Sequence, residues 1–288
     1  MNKVLVLGST GMLGQAIVNR AKELNFTVKG VARKNTDYSL DVKNDKNLEN
    51  VIKRYGPNIV INAIAIVNLS MCEENPGLAY IINSRLASVL SCFSRKYNFK
   101  FVHISTDHYY SNAGRKKHKE SLPLKIMNEY ARTKYIAEVF ARNNPSALIL
   151  RTNIVGHRWG YGPLTFSEWA IYAIRNHKPL VLFDDIYTSP IHVNSFSKEM
   201  FNLIKEGVTG TLNLASSEVS SKKEFIEGLA KKIDVNLDWT TTGSGKNREP
   251  IHANSMGLDV SKAEKILNYK LPTLDETLSC LVQENIFR

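Results

Sequence analysis

Tyr130 and Lys134 set a phenol and an ammonium four residues apart, which places both on one face of a helix. A tyrosine of ordinary pKa, about 10, is a sluggish proton donor near neutrality. A cation held about 5 Å away, at an effective dielectric of about 20, contributes roughly 3 kcal/mol, or about two pKa units, and brings the phenol toward working pH. Such a pair can protonate a carbonyl oxygen while hydride reaches its carbon, with the ammonium also holding a nicotinamide ribose. Ser105-Thr106-Asp107 closes a short apolar run, and the Thr106 hydroxyl supplies a hydrogen bond to the same oxygen. Tyr-x-x-x-Lys alone is common on surface helices, so its meaning comes from what accompanies it.

What accompanies it is a glycine turn. Gly8-Ser9-Thr10-Gly11-Met12-Leu13-Gly14 joins an apolar run to a helical pattern, where backbone N–H groups must come against a pyrophosphate and side chains would block them. Gly8, Thr10, Gly11, Met12, Leu13 and Gly14 are the expected contacts. At the end of the second apolar run stand Ala32-Arg33-Lys34, where NAD-selective folds carry an acid for the ribose hydroxyls. An acid would repel a 2′-phosphate and an arginine welcomes one, so Arg33 and Lys34 favour NADP over NAD; ordinary solvated loop charges are the other explanation. Asp41 and Val42 are expected at the adenine edge. Asn62-Ala63-Ile64-Ala65 ends the third run with small residues that let the cofactor pass close, although a strand-end turn explains them too.

These residues need elements to hold them. Val4–Leu7, Thr27–Ala32, Ile59–Ile61, Phe101–Ser105 and Ala147–Leu150 read as buried-type strands. Helical patterns fall between them, over Met12–Leu24, Leu48–Tyr55, Pro76–Tyr97 and Glu129–Asn143. That alternation predicts right-handed βαβ crossovers and a doubly wound parallel sheet covered on both faces. Beyond Arg151 the spacing loosens. Helices are expected near Ser167–Asn176, Val193–Lys205 and Lys222–Ile233, with strands near Leu180–Phe183 and Thr211–Leu214.

Composition narrows the class. With 288 residues, 43% of them hydrophobic, the chain can bury one large core with a smaller lobe beside it. MNKVLVLGST holds too short an apolar run before glycine for a secretory signal, and no apolar stretch is long enough to span a bilayer, so a cytoplasmic protein is expected. Cys72, Cys92 and Cys280 lack metal-ligand spacing, and their odd number suits reduced thiols acting as small core hydrophobes; no metal is expected. The net charge of +11 is spread along the chain apart from Arg115-Lys116-Lys117-His118-Lys119, expected to be a solvated loop. No groove-reading basic element with interleaved aromatics is present, which argues against nucleic acid.

Several motifs together resemble a known family. The Gly8–Gly14 turn, Asn62-Ala63, His103-Ile104-Ser105-Thr106-Asp107, Tyr130 to Lys134 with Glu138, Leu150-Arg151-Thr152 and the late Asn254-Ser255…Leu258-Asp259 look like the dTDP-4-dehydrorhamnose reductase branch of the extended short-chain dehydrogenases. The likeness covers nearly the whole chain. It implies an α/β fold with a Rossmann domain over 1–152, to which about 190–214 returns, and a small C-terminal substrate-binding lobe from 153–189 and 215–288. It implies NAD(P)H-dependent reduction of a nucleotide-linked 4-keto-6-deoxy sugar, with Thr106, Tyr130 and Lys134 as the triad.

This chain departs from the family in two places. Pro250-Ile251-His252-Ala253 stands where the family has Arg-Pro before the Asn-Ser, with Met256-Gly257 adding a residue; His108-Tyr109-Tyr110 replaces Tyr-Val-Phe. Related dehydratases carry Asp-Glu after the catalytic Ser/Thr, to remove water across a C5–C6 bond, whereas Asp107 is followed here by His108. A dehydratase is therefore disfavoured. A 4-epimerase remains an alternative because it needs only the same triad, and so does a non-catalytic NADP-binding regulatory subunit, which a degraded triad would support. Substrate contacts are expected from Asp107, Arg158, Trp159, Tyr161 and Arg248, through diphosphate capture and base stacking, beside the plainer reading of ordinary packing. The expected partners are a nucleotide sugar and a second copy in a homodimer, with neither nucleic acid nor membrane.

Overall fold

The structure is a computed structural model that describes residues 2–158, 162–245 and 248–286, the side chains of 285 and 286 excepted. The chain opens with β1 (Lys3–Leu7), α1 (Met12–Glu23), β2 (Thr27–Ala32), β3 (Tyr38–Ser39), α2 (Asp45–Tyr55) and β4 (Ile59–Asn62). Then follow α3 (Leu69–Glu74), α4 (Pro76–Ala79), a π-helical turn (Tyr80–Arg85), α5 (Leu86–Tyr97), β5 (Lys100–Ile104), α6 (Glu129–Arg142) and β6 (Leu148–Arg151). After these come β7 (Asn153–Val155), α7 (Phe166–Arg175), β8 (Val181–Phe183), β9 (Tyr187–Thr188), β10 (Pro190–His192), α8 (Val193–Lys205) and β11 (Gly210–Asn213). The last elements are β12 (Ser220–Ser221), α9 (Lys222–Lys232), β13 (Thr241–Gly243), β14 (Ser255–Met256), α10 (Ser261–Leu267) and α11 (Leu274–Ile286).

Contacts divide the chain into two compact units. Unit 1 takes residues through Thr106, Asn128–Arg151 and Met200–Leu212; unit 2 takes Asp107–Met127, Thr152–Glu199 and the chain from Asn213 onward. Unit 1 is built on one seven-stranded sheet in the order β11-β6-β5-β4-β1-β2-β3, with parallel pairing from β3 through β6. Strands buried on both faces must be apolar throughout, and Val4 to Leu7 and Ile59 to Ile61 are. The core beneath α2 and α5 gathers Leu5, Leu7, Leu48, Ile52, Leu86, Leu90 and Phe101. The doubly wound α/β class read from the alternation is the fold found. The long helix expected over Pro76–Tyr97 is present, but the π turn interrupts it between α4 and α5.

Unit 2 buries a separate core between α7, α9 and α11, through Ile171, Ile174, Phe225, Leu229, Leu278 and Leu281. Its sheets are small, β10-β7, β12-β9-β14 and β13-β8. Residues 107–127, which the motif order keeps with the nucleotide domain, belong to this unit for a physical reason. His118 N donates to Gly257 O at 2.9 Å, its Nε2 lies 3.1 Å from Ser255 Oγ, and Asn213 Nδ2 donates to its carbonyl at 2.9 Å. Arg115, Lys116, Lys117 and Lys119 of the basic run are exposed, as a solvated loop requires, but His118 departs from that expectation. His118 is buried and stacked on Tyr110, while Arg115 bonds Val219 O and Glu224 and Lys117 bonds Ser217 O. The cysteines are free; Cys72 is buried as expected and Cys92 is exposed, because it lies on the outer face of α5. Among the described residues no helix is long and apolar enough to cross a membrane.

Candidate active site

The glycine turn has the shape a dinucleotide requires. Gly8 adopts φ +85, and a Cβ on Gly14 would lie 2.0 Å from Gly8 O, so a side chain there would break the turn. Gly11 caps α1 without a side-chain bond, and the first turn of α1, begun by Met12 and Leu13, carries no acid. Its N–H groups and partial positive charge are thus open to a phosphate. Thr10 is exposed beside them. Arg33 and Lys34 are exposed directly after β2; the Asp41 carboxyl is held below its usual range by the Lys43 backbone N–H and, against burial, by the Lys43 ammonium, with Arg33 adding a smaller pull. Val42 is buried. Asn62 is fixed at the end of β4, its Oδ1 accepting Ile64 N–H at 3.1 Å, and Ala63 N donates to Leu7 O, which leaves Ala63, Ile64 and Ala65 partly covered alongside Gly8. These residues fit the pyrophosphate and adenosine of an NADP-like ligand.

Helix α6 delivers the acid–base pair. Asn128 caps it by accepting Ala131 N–H at 2.8 Å, which puts Tyr130 in the first turn and Lys134 one turn later, both buried. Tyr130 packs with Cys72, Ala79, Ile66 and Leu69. Lys134 Nζ donates to Ile104 O at 2.6 Å, at the carboxyl end of β5 and two residues before the buried Thr106. His103 Nε2 lies 3.5 Å from the same Nζ, and its Nδ1 is 3.3 Å from Asn62 Nδ2. Burial lowers the Lys134 pKa to about 8, opposed by Glu138, and burial with the Lys134 charge holds His103 well below the ordinary histidine value.

A second turn along the same face lies Glu138, which no expectation gave a role. Its carboxylate, fully buried, accepts from Ser105 Oγ at 2.6 Å, from Arg151 Nε at 2.9 Å and Nη2 at 2.8 Å, and from Arg142 at 2.6 Å. This network ties α6 to the ends of β5 and β6. The π turn grips α6 from another side, where Asn83 donates to Thr133 Oγ1 at 3.1 Å and Ser84 to Thr133 O at 2.7 Å. A π turn shifts the side-chain register by one residue, and here it aims Asn83 inward.

Of the expected substrate residues, Asp107 is buried and accepts from Asn153 Nδ2 at 2.7 Å. Arg158 donates its backbone N–H to Glu168 and its guanidinium reaches Gly162. Arg248 is exposed and lies over Phe183, 5.4 Å from the ring centroid. Trp159 and Tyr161 fall outside the described residues. Unit 2 adds a group that sequence reasoning missed: Lys222, over Phe166 and within the field of Asp107, with His108 and His252 beside it. A signal was available, since a lysine at the first position of a capped helix runs against the helix dipole.

Comparison with known proteins identifies the family and the fold. A family model described as the RmlD substrate binding domain matches residues 1–286. The probable low-salt glycan biosynthesis reductase of Haloferax volcanii is 26% identical over 287 residues, covering 96% of each chain. The dTDP-4-keto-6-deoxy-D-glucose reductase of Streptomyces niveus is 25% identical over 74% of this chain and 72% of its own. The crystal structure of dTDP-4-dehydrorhamnose reductase from Bacillus anthracis, in complex with NADP, superposes with a TM-score of 0.88 at 21% identity, covering 99% of this chain and all of that one. That likeness shows the same fold.

Proposed function

The chain belongs to the RmlD substrate binding domain family, and on that premise we propose that it is an NADPH-dependent reductase of a nucleotide-linked 4-keto-6-deoxy sugar, serving surface-polysaccharide sugar biosynthesis. The observation that carries the chemistry is the buried Lys134 ammonium, bonded to Ile104 O one helical turn from Tyr130 and two residues from Thr106. When bound, the reduced nicotinamide supplies the hydride. The chain's own groups handle the proton. Tyr130 gives its phenolic proton to the carbonyl oxygen, Thr106 donates a hydrogen bond to that oxygen, and the Lys134 ammonium stabilises the phenolate left behind.

Gly8, Gly11 and Gly14 keep the turn clear for the pyrophosphate, and the open N–H groups of Met12 and Leu13 receive it. Arg33 and Lys34 favour the 2′-phosphate. Asp107, Arg158 and Arg248 are the proposed substrate contacts of unit 2. The reading also places the enzyme in the cytoplasm and allows a homodimer, which sedimentation of the purified chain would establish. With the full chain, NADPH absorbance should fall on addition of a thymidine-diphosphate-linked 4-keto-6-deoxy sugar. Interconversion of 4-epimers with no net NADPH consumption would indicate the epimerase, and cofactor binding without turnover of any 4-keto sugar would indicate a regulatory subunit.

A further inference from the structure

Lys222 opens α9, where the partial positive charge of the helix N-terminus disfavours a cation. Its ammonium lies 4.2 Å from the centroid of the Phe166 ring. The residue keeps some accessible surface, yet its charge is deep enough that burial lowers the pKa to about 8, with only Asp107 pulling the other way. Asp107 is itself engaged by Asn153. Among the described residues no hydrogen bond or ion pair reaches the Lys222 ammonium.

Apart from Asp107, the titratable groups beside Lys222 are cationic or neutral. His108 and His252 have ring centroids 6.4 Å apart. Burial, His252 and Lys222 push His108 down to about 3, and burial, Arg248 and Lys222 lower His252, so both imidazoles are neutral near pH 7. Asp107 is the one carboxylate acting on Lys222, and Arg248 adds a second cation beside His252. For packing alone, an apolar side chain over Phe166 would serve better than a desolvated ammonium. A cation carrying three donors and no acceptor is instead preorganised for an anionic oxygen.

We infer that Lys222, flanked by His108, His252 and Arg248, is an anion subsite of unit 2 that takes an oxyanion of the nucleotide-sugar ligand, either a phosphate oxygen of its diphosphate or a carboxylate on its sugar. The inference rests on the nucleotide-sugar reading and deepens it. Phosphate is the simpler source, since every such ligand carries one.

The test is calorimetric titration of the full chain and of Lys222→Met and Lys222→Arg with thymidine diphosphate, thymidine, a nucleotide-linked uronate and NADPH. Methionine keeps the contact with Phe166 and removes a buried charge, so Lys222→Met should fold and melt no lower than the wild type. Its affinity for thymidine diphosphate should fall by about 10- to 100-fold, the worth of a charge-assisted hydrogen bond. Thymidine and NADPH affinities should not change, and Lys222→Arg should stay within a few-fold of the wild type. A loss confined to the uronate would assign the subsite to a sugar carboxylate. Equal affinities of wild type and Lys222→Met for both anions, or a wild type that binds neither, would overturn the subsite. Thymidine diphosphate binding without NADPH oxidation by any 4-keto sugar would instead remove the reductase reading and leave the subsite standing.

Discussion

Each unit holds a lysine whose desolvated charge draws its pKa down to about 8, and the two are held in opposite ways. In unit 1 the Lys134 ammonium is satisfied by Ile104 O and stands a turn from the Glu138 carboxylate, which is itself fixed by Ser105, Arg142 and Arg151. In unit 2 the Lys222 ammonium rests on an aromatic ring and has no acceptor among the described residues. The difference separates two jobs. A group that tunes a neighbouring acid must be rigid before the ligand arrives, whereas a group that receives an anion must keep its donors uncommitted.

Four experiments would break or sharpen that contrast. Tyr130→Phe deletes the proton donor and leaves the ring in its apolar niche of Cys72, Ala79 and Leu69, so kcat should fall about 10²- to 10⁴-fold with the fold intact. Steady-state NADPH oxidation checks this, and retained turnover would move the acid elsewhere. Glu138→Ala strands the buried Arg151 guanidinium, and denaturant unfolding should show a loss of about 3–5 kcal/mol. A loss below about 1 kcal/mol would show that the network does not hold α6. Arg33→Ser should shift cofactor preference from NADPH toward NADH by about 10-fold in KM, since an exposed cation facing a phosphate contributes on the order of 1 kcal/mol; an unchanged ratio would dismiss Arg33 as a selector.

The smallest effect is in the pH dependence of stability. A lysine near 8 when folded and 10.5 when unfolded is protonated in the unfolded chain and deprotonated in the folded one across that interval, so stability rises with pH there. Cys72 opposes above about 9 and Tyr55 above about 10, because their folded values are raised to about 11 and about 12. Between pH 8 and 9 each lysine should therefore add about 1 kcal/mol. Lys134→Met and Lys222→Met should each remove its own share of that slope in chemical unfolding, and a variant with the wild-type slope would show that its lysine is not buried as described.

The cofactor turn was legible because every constraint on it is local: strand, glycines, helix, with Gly14 forced by the backbone oxygen of Gly8, six residues earlier in the same turn. Tyr130 and Lys134 were legible for the same reason. His118 was not, since a basic run reads as solvated until its ring is seen stacked on Tyr110 and its backbone paired with Gly257. The π turn at Tyr80–Arg85 hid inside a good helical pattern, because one extra residue leaves hydrophobic spacing nearly unchanged. Helices α10 and α11 carry no signal strong enough to be read, and the pattern over Lys222–Ile233 shows a helix without showing what its first lysine meets.

Sequence alone determined the alternating elements, the glycine turn, the cation-bearing end of β2 and the four-residue spacing of phenol and ammonium, because helix and strand periodicity carry those from residue to neighbour. Tertiary structure decided which distant polar groups meet: Glu138 with Ser105 and Arg151, His118 with Ser255, and Lys222 over Phe166. Those pairings follow from which charges the closed chain buries and what it leaves beside them, and burial is a property of the whole fold that no local pattern contains.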